Sequence, residues 1–339
     1  MPPQSHHAPE PHSPTAGGGA PRTSILLCLY DGETFVSRTI ASALRQTSAD
    51  FELLIIDDGS TDGSLDIVKR VHQDQRLRVI RQENRGTAGA IQTGLEVAHG
   101  EYVAFLDQDD LWEPDYLASQ IELLDARPEI ALSFTRFRII DEAGRDTGLT
   151  SRRISGTLDF QSLLTDFVIG GNSNVVARRS AIEAAGGVDL EFRLLYNVDL
   201  CLRIALLSPH NIGAVPRLLM SYRRHAGQMS RDLNGLIREW DRAIRKFERL
   251  APELVAGVRR AAQSNELRYF ARVAYEHERY AQALGFLARG FSATPGTFLR
   301  DGRNWLTFAA CLSGLLFPQR LHFALERLAG FRRSTPMRG

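Results

Sequence analysis

Four short apolar runs, Ile25–Leu29, Leu53–Ile56, Arg78–Ile80 and Tyr102–Leu106, recur about every 25 residues. Helical patterns lie between them. Phe35, Ile40 and Leu44 fit one apolar face, Leu65, Val68 and Val71 a second, and Ile91, Leu95 and Ala98 a third. Strands that alternate with helices build right-handed βαβ units and a parallel sheet. The runs are continuously apolar, as strands must be when helices cover both sheet faces. The expected fold class is α/β, with a mostly parallel central sheet and helices on both faces.

The two flanks read differently. Residues 1–22 hold six prolines and a Gly17–Gly19 run, a composition that cannot build a core, and disorder is expected there. His6, His7 and His12 in that tail are read as incidental. From about residue 231 the pattern is helical. Leu236, Trp240, Ile244, Phe247 and Leu250 fall on one stripe at steps of three and four. Residues 271–295 bear a faint likeness to one tetratricopeptide unit, but a solenoid needs about three stacked units, so packing helices are expected.

Composition removes several classes. A net charge of +1 argues against a general nucleic-acid binder. Cys28, Cys201 and Cys311 form no CxxC pair, which argues against a disulfide scaffold or structural zinc and fits a reducing cytoplasm. The N-terminus shows no signal-peptide pattern. The longest apolar segment, Trp305 to Phe317, falls short of the ~18–20 residues of a membrane span. A cytoplasmic protein is expected.

The strand ends carry the chemistry. The second strand runs into Asp57-Asp58-Gly59-Ser60 and the fourth into Asp107-Gln108-Asp109-Asp110. Open α/β sheets bind ligands at the carboxyl ends of their strands. Two acidic clusters at that edge face one crevice. Converging like charges is costly, so a cation is expected between them. A carboxylate at the first cluster can accept hydrogen bonds from a ring N–H or a ribose hydroxyl. Asp107 and Asp109, at i and i+2, can converge on one divalent ion such as Mn²⁺ or Mg²⁺ beside substrate phosphates. Read blandly, each cluster is a turn that caps the next helix.

Thr23–Leu29 with Tyr30-Asp31-Gly32-Glu33, the strand into Asp57-Asp58-Gly59-Ser60-Thr61-Asp62, and Gly100–Trp112 together resemble family 2 glycosyltransferases. These are nucleotide-sugar-dependent inverting enzymes of GT-A fold. The resemblance covers about residues 23–230. It implies three regions: a tail over 1–22, a GT-A domain over 23–230 and a helical region over 231–339.

Carried onto this chain, the resemblance implies that Leu29, Tyr30, Asp31 and Glu33 line the base and ribose pocket. Asp58 holds the base, with Asp57 beside it. Asp107 contacts ribose or metal, and Asp109 ligates the metal. Gly170–Val176 resembles the segment under the acceptor, which puts Gly171, Asn172 and Asn174 on the acceptor side. Tyr222–Ser230 resembles the closing segment, where His225 reaches the diphosphate or metal.

Three places depart from the family: Asp31 stands where Asn is usual, Ile91-Gln92 stands where Arg-Asn is frequent, and the third bears on catalysis. The stretch Leu195–Arg203 aligns with a motif whose Glu-Asp pair supplies the catalytic base, and here those positions read Tyr196-Asn197. An amide cannot serve as a carboxylate base. Asp199 is the nearest substitute, although with Arg203 at i+4 it also fits a helix ion pair.

The expected function is transfer of a sugar, with inversion, from a nucleotide-diphosphate donor to a hydroxyl of a glycan or lipid-linked glycan, in bacterial cell-surface polysaccharide synthesis. Two alternatives stand beside it. Asn197 points to a nucleotide-sugar-binding protein with impaired catalysis, and the helical C-terminal region to a partner-recruiting protein. Dinucleotide, P-loop and nucleophile-elbow fingerprints are absent. Trp305–Phe317, followed by Arg320, Arg327, Arg332 and Arg333, reads either as a buried helix or as a segment lying on an anionic membrane surface.

Overall fold

A computed structural model describes residues 19–71 and 74–317. The tail histidines and the basic segment beyond Phe317 lie outside the described residues, as does nearly all of the tail expected to be disordered.

The chain starts as an alternation. It runs β1 (Thr23–Leu29), α1 (Val36–Leu44), β2 (Phe51–Asp57), α2 (Ser64–Val71), β3 (Leu77–Arg81), α3 (Gly86–Val97) and β4 (Tyr102–Asp107). A mixed stretch follows: β5 (Leu111–Trp112), α4 (Tyr116–Ala126), β6 (Leu132–Ile140), β7 (Asp146–Thr150), β8 (Gly156–Leu158), α5 (Phe160–Thr165), β9 (Val175–Arg178), α6 (Arg179–Ala184), α7 (Tyr196–Leu207) and β10 (Ile212–Arg223). The rest is helical: α8 (Leu233–Leu250), α9 (Pro252–Glu276), α10 (Tyr280–Ala293), α11 (Pro295–Arg300) and α12 (Gly302–Leu316).

One sheet has the order β3-β2-β1-β4-β9-β6-β10-β5, with β7 on β6 and β8 on β10. Strands β1 to β4 are parallel, β9 runs against both β4 and β6, and β6 and β10 are parallel to each other. Six strands therefore point one way, and their carboxyl ends share one edge.

Alternation along each strand divides the core. Leu26, Leu54, Ile56 and Phe105 pack on one face with α3, α5, α6 and α7. Ile25, Leu27, Leu53, Ile55 and Leu106 pack on the other with α1 and α4. Both faces are covered, so the central strands are apolar throughout. Strand β3 is the exception: it pairs only with β2, and Val79 is exposed.

The helical region is not detached from this core. Ala243, Ile244, Phe247, Val255 and Ala262 share a buried cluster with Phe160, Leu163 and Leu200. The rings of Phe160 and Phe247 are 5.4 Å apart. Truncating such a buried ring costs about 3–5 kcal/mol, so this contact anchors α8 to the sheet layer. Of the stripe expected on α8, Leu236, Ile244 and Phe247 are buried, whereas Leu250 in the last turn is exposed. Helix α12 is turned inside out. Asn304, Thr307, Ala310 and Cys311 face inward, while Trp305, Leu306, Phe308, Leu315 and Leu316 are exposed. Among the described residues no helix is long and apolar enough to cross a membrane.

Candidate active site

Strand register sets the site. Asp57 lies opposite Leu29 on one side of β1, and Asp107 opposite Cys28 on the other. The two acidic clusters thus flank the end of the same strand. Leu29, Tyr30, Asp58, Asp107, Asp109, Gly171, Asn172, Asn197 and His225 all line one cavity of about 2110 Å³.

The loops at that edge are tied to each other. Tyr30 donates its backbone N–H to Gln108 Oε1 at 2.8 Å, and Gln108 Nε2 returns a bond to Tyr30 O at 3.0 Å. Asp31 has a left-handed backbone, φ 43°, which Asp tolerates better than most residues. Its Oδ1 accepts from Thr61 N at 2.7 Å and Asp62 N at 3.3 Å. Glu33 Oε2 accepts from Gly63 N at 2.9 Å. Asp57 is fully buried, accepting from Ser60 N at 3.1 Å and pairing with Arg81 at 3.2 Å. Asp31, Glu33 and Asp57 therefore brace the loops and do not line the cavity.

Asp58 is positioned differently. Its Oδ1 accepts from Gln82 Nε2 at 2.7 Å and Arg85 N at 2.8 Å. This fixes the carboxylate at the cavity wall and leaves its second oxygen without a hydrogen-bond partner among the described residues.

The fourth-strand cluster concentrates charge. Burial, and then the neighbouring Asp109, push the Asp107 carboxyl up to about 7. Burial and the same neighbours raise Asp110 as well. Asp107 donates its backbone N–H to Ser173 Oγ at 2.9 Å, and its Oδ1 lies 3.5 Å from Asn172 Nδ2. Asp109 Oδ2 meets His225 Nε2 at 2.7 Å. Since Gly227 N–H donates to His225 Nδ1 at 3.2 Å, the proton sits on Nε2 and is given to the carboxylate.

Arg223 is the buried counterweight. Its Nε donates to Asp109 O at 2.7 Å, its backbone N–H to Asp110 Oδ1 at 2.9 Å, and its guanidinium lies 4.9 Å from the Phe35 ring centre. Among the described residues no group of three or more His, Cys, Asp or Glu could hold a metal by itself. Asp107 and Asp109 fit a divalent cation that takes its other ligands from a bound phosphate, because such a charge offsets the repulsion that raises Asp107.

The acceptor-side segment is only partly at the cavity. Gly170 has φ +85°, and a Cβ there would stand 2.5 Å from the Phe137 ring. Gly171 packs against Tyr222. Asn174 is buried and spent on Thr135 and Ile169, so it shapes the segment from beneath. Asn197 lines the cavity in the first turn of α7. Asp199 does not. It is fully buried, with Oδ2 on Arg203 at 2.6 Å and Oδ1 on Lys246 Nζ at 2.6 Å.

Sequence reasoning missed several supports. Ser173 Oγ accepts from the Asp107 backbone N–H, and the Ser173 carbonyl accepts from Trp112 Nε1 at 2.7 Å and Tyr116 OH at 2.8 Å. The structural role of Gln108 was missed too, and so was a row of α9 side chains on the cavity wall, including Arg268, Tyr269 and Arg272. Only the place of Gln108 inside the Asp107–Asp109 motif could have signalled any of these.

Comparison with known proteins follows the same segment. The sequence model described as Glycosyl transferase family 2 matches residues 24–186. The chain is 38% identical over 126 residues to TuaG of Bacillus subtilis, whose name assigns it provisionally as a glycosyltransferase of teichuronic acid biosynthesis; the match covers 37% of this chain and 50% of TuaG. It is 27% identical over 208 residues to WfaP of Escherichia coli, named UDP-Glc:alpha-D-GlcNAc-diphosphoundecaprenol beta-1,3-glucosyltransferase, covering 61% of this chain and 79% of WfaP. The chain spans about half the length of the first curated relatives it matches. Among solved structures, S. aureus TarS 1-349 in complex with UDP-GlcNAc aligns with a TM-score of 0.59 at 16% identity, over 86% of this chain and 90% of that one. At that identity the likeness is one of fold.

Proposed function

Because the chain belongs to glycosyl transferase family 2 through residues 24–186 and has a GT-A fold, we propose that it transfers a sugar from a nucleotide-diphosphate donor to a hydroxyl of a glycan or lipid-linked glycan. The reaction inverts the anomeric centre, and its setting is bacterial cell-surface polysaccharide synthesis. The observation that carries this reading is the convergence of Asp58 with Asp107 and Asp109 on one cavity at the carboxyl ends of β2 and β4. The names of TuaG and WfaP support the setting, and the TarS complex supports a nucleotide-sugar donor.

In this reading the open oxygen of Asp58 accepts from the base or ribose, and the Tyr30 ring borders the nucleoside. Asp107 and Asp109 hold a divalent cation, Mn²⁺ or Mg²⁺. When bound, that ion supplies charge neutralisation for the departing diphosphate. His225 fixes the Asp109 carboxylate, and Arg223 fixes the loop that bears it. Gly171 and Asn172 border the acceptor, whose hydroxyl attacks the anomeric carbon from the face opposite the diphosphate. The decisive experiment is donor turnover over a panel of nucleotide sugars and acceptors. Asp109→Ala abolishes metal-dependent turnover if the assignment holds, and wild-type turnover in that variant rejects it.

Asn197 favours a second reading, a nucleotide-sugar-binding protein with little transfer. Its amide sits on the cavity where the family places a base, and Asp199 is committed to Arg203 and Lys246. Donor binding without turnover distinguishes this case.

The outward apolar face of α12 supports a site at the inner face of the cell membrane. Trp305, Leu306 and Phe308 are exposed beside Arg300 and Arg303, and the sequence beyond adds Arg320, Arg327, Arg332 and Arg333. Apolar side chains flanked by arginines partition to anionic lipid surfaces.

A further inference from the structure

One wall of the cavity comes from the helical region. Arg268 and Arg272 stand one turn apart on α9, and Arg303 from α12 and Arg224 from just after β10 line the same cavity. Their carboxylate partners are shared. Glu276 serves both Arg224 at 2.7 Å and Arg272 at 3.1 Å. Asp301 serves Arg303 at 2.7 Å and Arg268 at 3.6 Å. Asp166 serves Arg152 at 3.3 Å and Arg268 at 3.8 Å. Five guanidiniums thus divide three carboxylates.

Arg268 is the least served. Both of its ion pairs are long, its side chain is only 15% exposed, and its Nε has no hydrogen-bond partner. Burial, and then the nearby charges of Arg303 and Arg272, depress its pKa. A guanidinium left short of acceptors in a buried wall asks for an anion from outside the chain. The place of this wall says which anion. Asp166 ends α5 and leads within a few residues to Gly170–Asn172, the acceptor-side segment. Tyr222 packs against Gly171, and Tyr269 projects from α9 next to Arg224, Arg272 and Glu276. The arginines therefore line the part of the cavity next to the acceptor-side segment.

We infer that the α9 wall binds a phosphate group carried by the acceptor, with Arg268, Arg272 and Arg303 as its ligands. The inference rests on the glycosyltransferase reading for the word acceptor, and it makes the helical region part of the substrate site. Phosphate fits better than carboxylate, since several converging forks need more acceptor oxygens than a carboxylate's two.

The test is calorimetric titration of the full chain with inorganic phosphate, dimethyl phosphate and acetate. UDP and GDP binding is measured alongside as a separate report on the donor site. In Arg268→Gln, and in the double variant Arg272→Gln/Arg303→Gln whose side chains are far more exposed, phosphate binding weakens about tenfold while nucleotide binding is unchanged. Asp109→Asn leaves phosphate binding intact. Dimethyl phosphate matching inorganic phosphate marks an internal phosphodiester, and weaker binding marks a terminal phosphate; both support the inference. It is overturned if wild type binds no phosphate, if acetate binds equally well, or if phosphate binding is lost in Asp109→Asn and kept in the arginine variants. Loss of nucleotide binding with retained phosphate binding counts against the donor reading alone.

Discussion

Asp109 and His225, 116 residues apart in sequence, meet at 2.7 Å with the imidazole Nε2–H on the carboxylate. The contact closes the segment after β10 over the end of β4. It also orients an oxygen pair that faces the cavity. His225→Ala frees that carboxylate and is expected to lower donor turnover about 10²-fold, as loss of one aligned polar group at a reacting centre does. Circular dichroism should be unchanged, because the ring is partly exposed and Phe35 is its one aromatic neighbour among the described residues.

Asp199 answers to stability. It is fully buried between Arg203 and Lys246. Removing one member of a buried ion network costs about 3–5 kcal/mol, because the partners stay buried and unpaired. Asp199→Ala should lower the unfolding midpoint strongly, and any loss of turnover should disappear when rates are corrected for the folded fraction. A stable Asp199→Ala protein with no turnover would restore Asp199 as the base.

Asn197→Asp tests the departure at the head of α7. The side chain already faces the cavity, so the change places a carboxylate there with no change of shape. A gain of about 10²-fold or more in transfer, the range of general-base catalysis, is expected if the missing base limits the rate. Unchanged transfer with a working donor site locates the base elsewhere.

The charge crowding gives a pH signature. Folded Asp107 keeps its proton up to about pH 7, whereas an unfolded carboxyl releases it near 4. Between those values the folded state binds more protons, so stability falls as pH rises through that window. Glu266, pushed to about 8 chiefly by burial, acts in the same direction. Thermal melts without divalent ion should therefore drop from about pH 5 to 7, and Asp107→Asn and Glu266→Gln should each flatten the slope. A rising melting temperature over that range contradicts the assignment.

Helix α12 gives the last of these expectations. The 339-residue chain should float with anionic vesicles at low salt, and Trp305→Ser/Leu306→Ser/Phe308→Ser should not. Since those side chains are exposed, the variant keeps its fold, and its continued flotation would remove α12 from membrane binding.

The repeating apolar runs made the sheet legible, because strands covered on both faces have few residue types open to them. The acidic motifs were legible for a related reason: a turn needs one capping group, and these turns carry more carboxylates than that. What stayed hidden depended on tertiary placement. Asp31, Glu33 and Asp57 look like site residues in the sequence, yet backbone N–H groups of the neighbouring loops or Arg81 occupy their oxygens. Asn174 is spent in the same way on Thr135. The α9 arginines could not be assigned to the cavity, because their distance in sequence from the motifs gives no hint that α9 folds back across the strand ends.

The central claim is that Asp58 and Asp109, from different strands, serve the two ends of one nucleoside diphosphate. Calorimetric titration with UDP and GDP, with and without Mn²⁺, measures it directly. Wild type should bind one of them more tightly with Mn²⁺. Asp58→Ala should weaken binding about tenfold under both conditions, and Asp109→Ala should remove the Mn²⁺ dependence. Wild-type affinity and wild-type Mn²⁺ response in both variants would contradict the account.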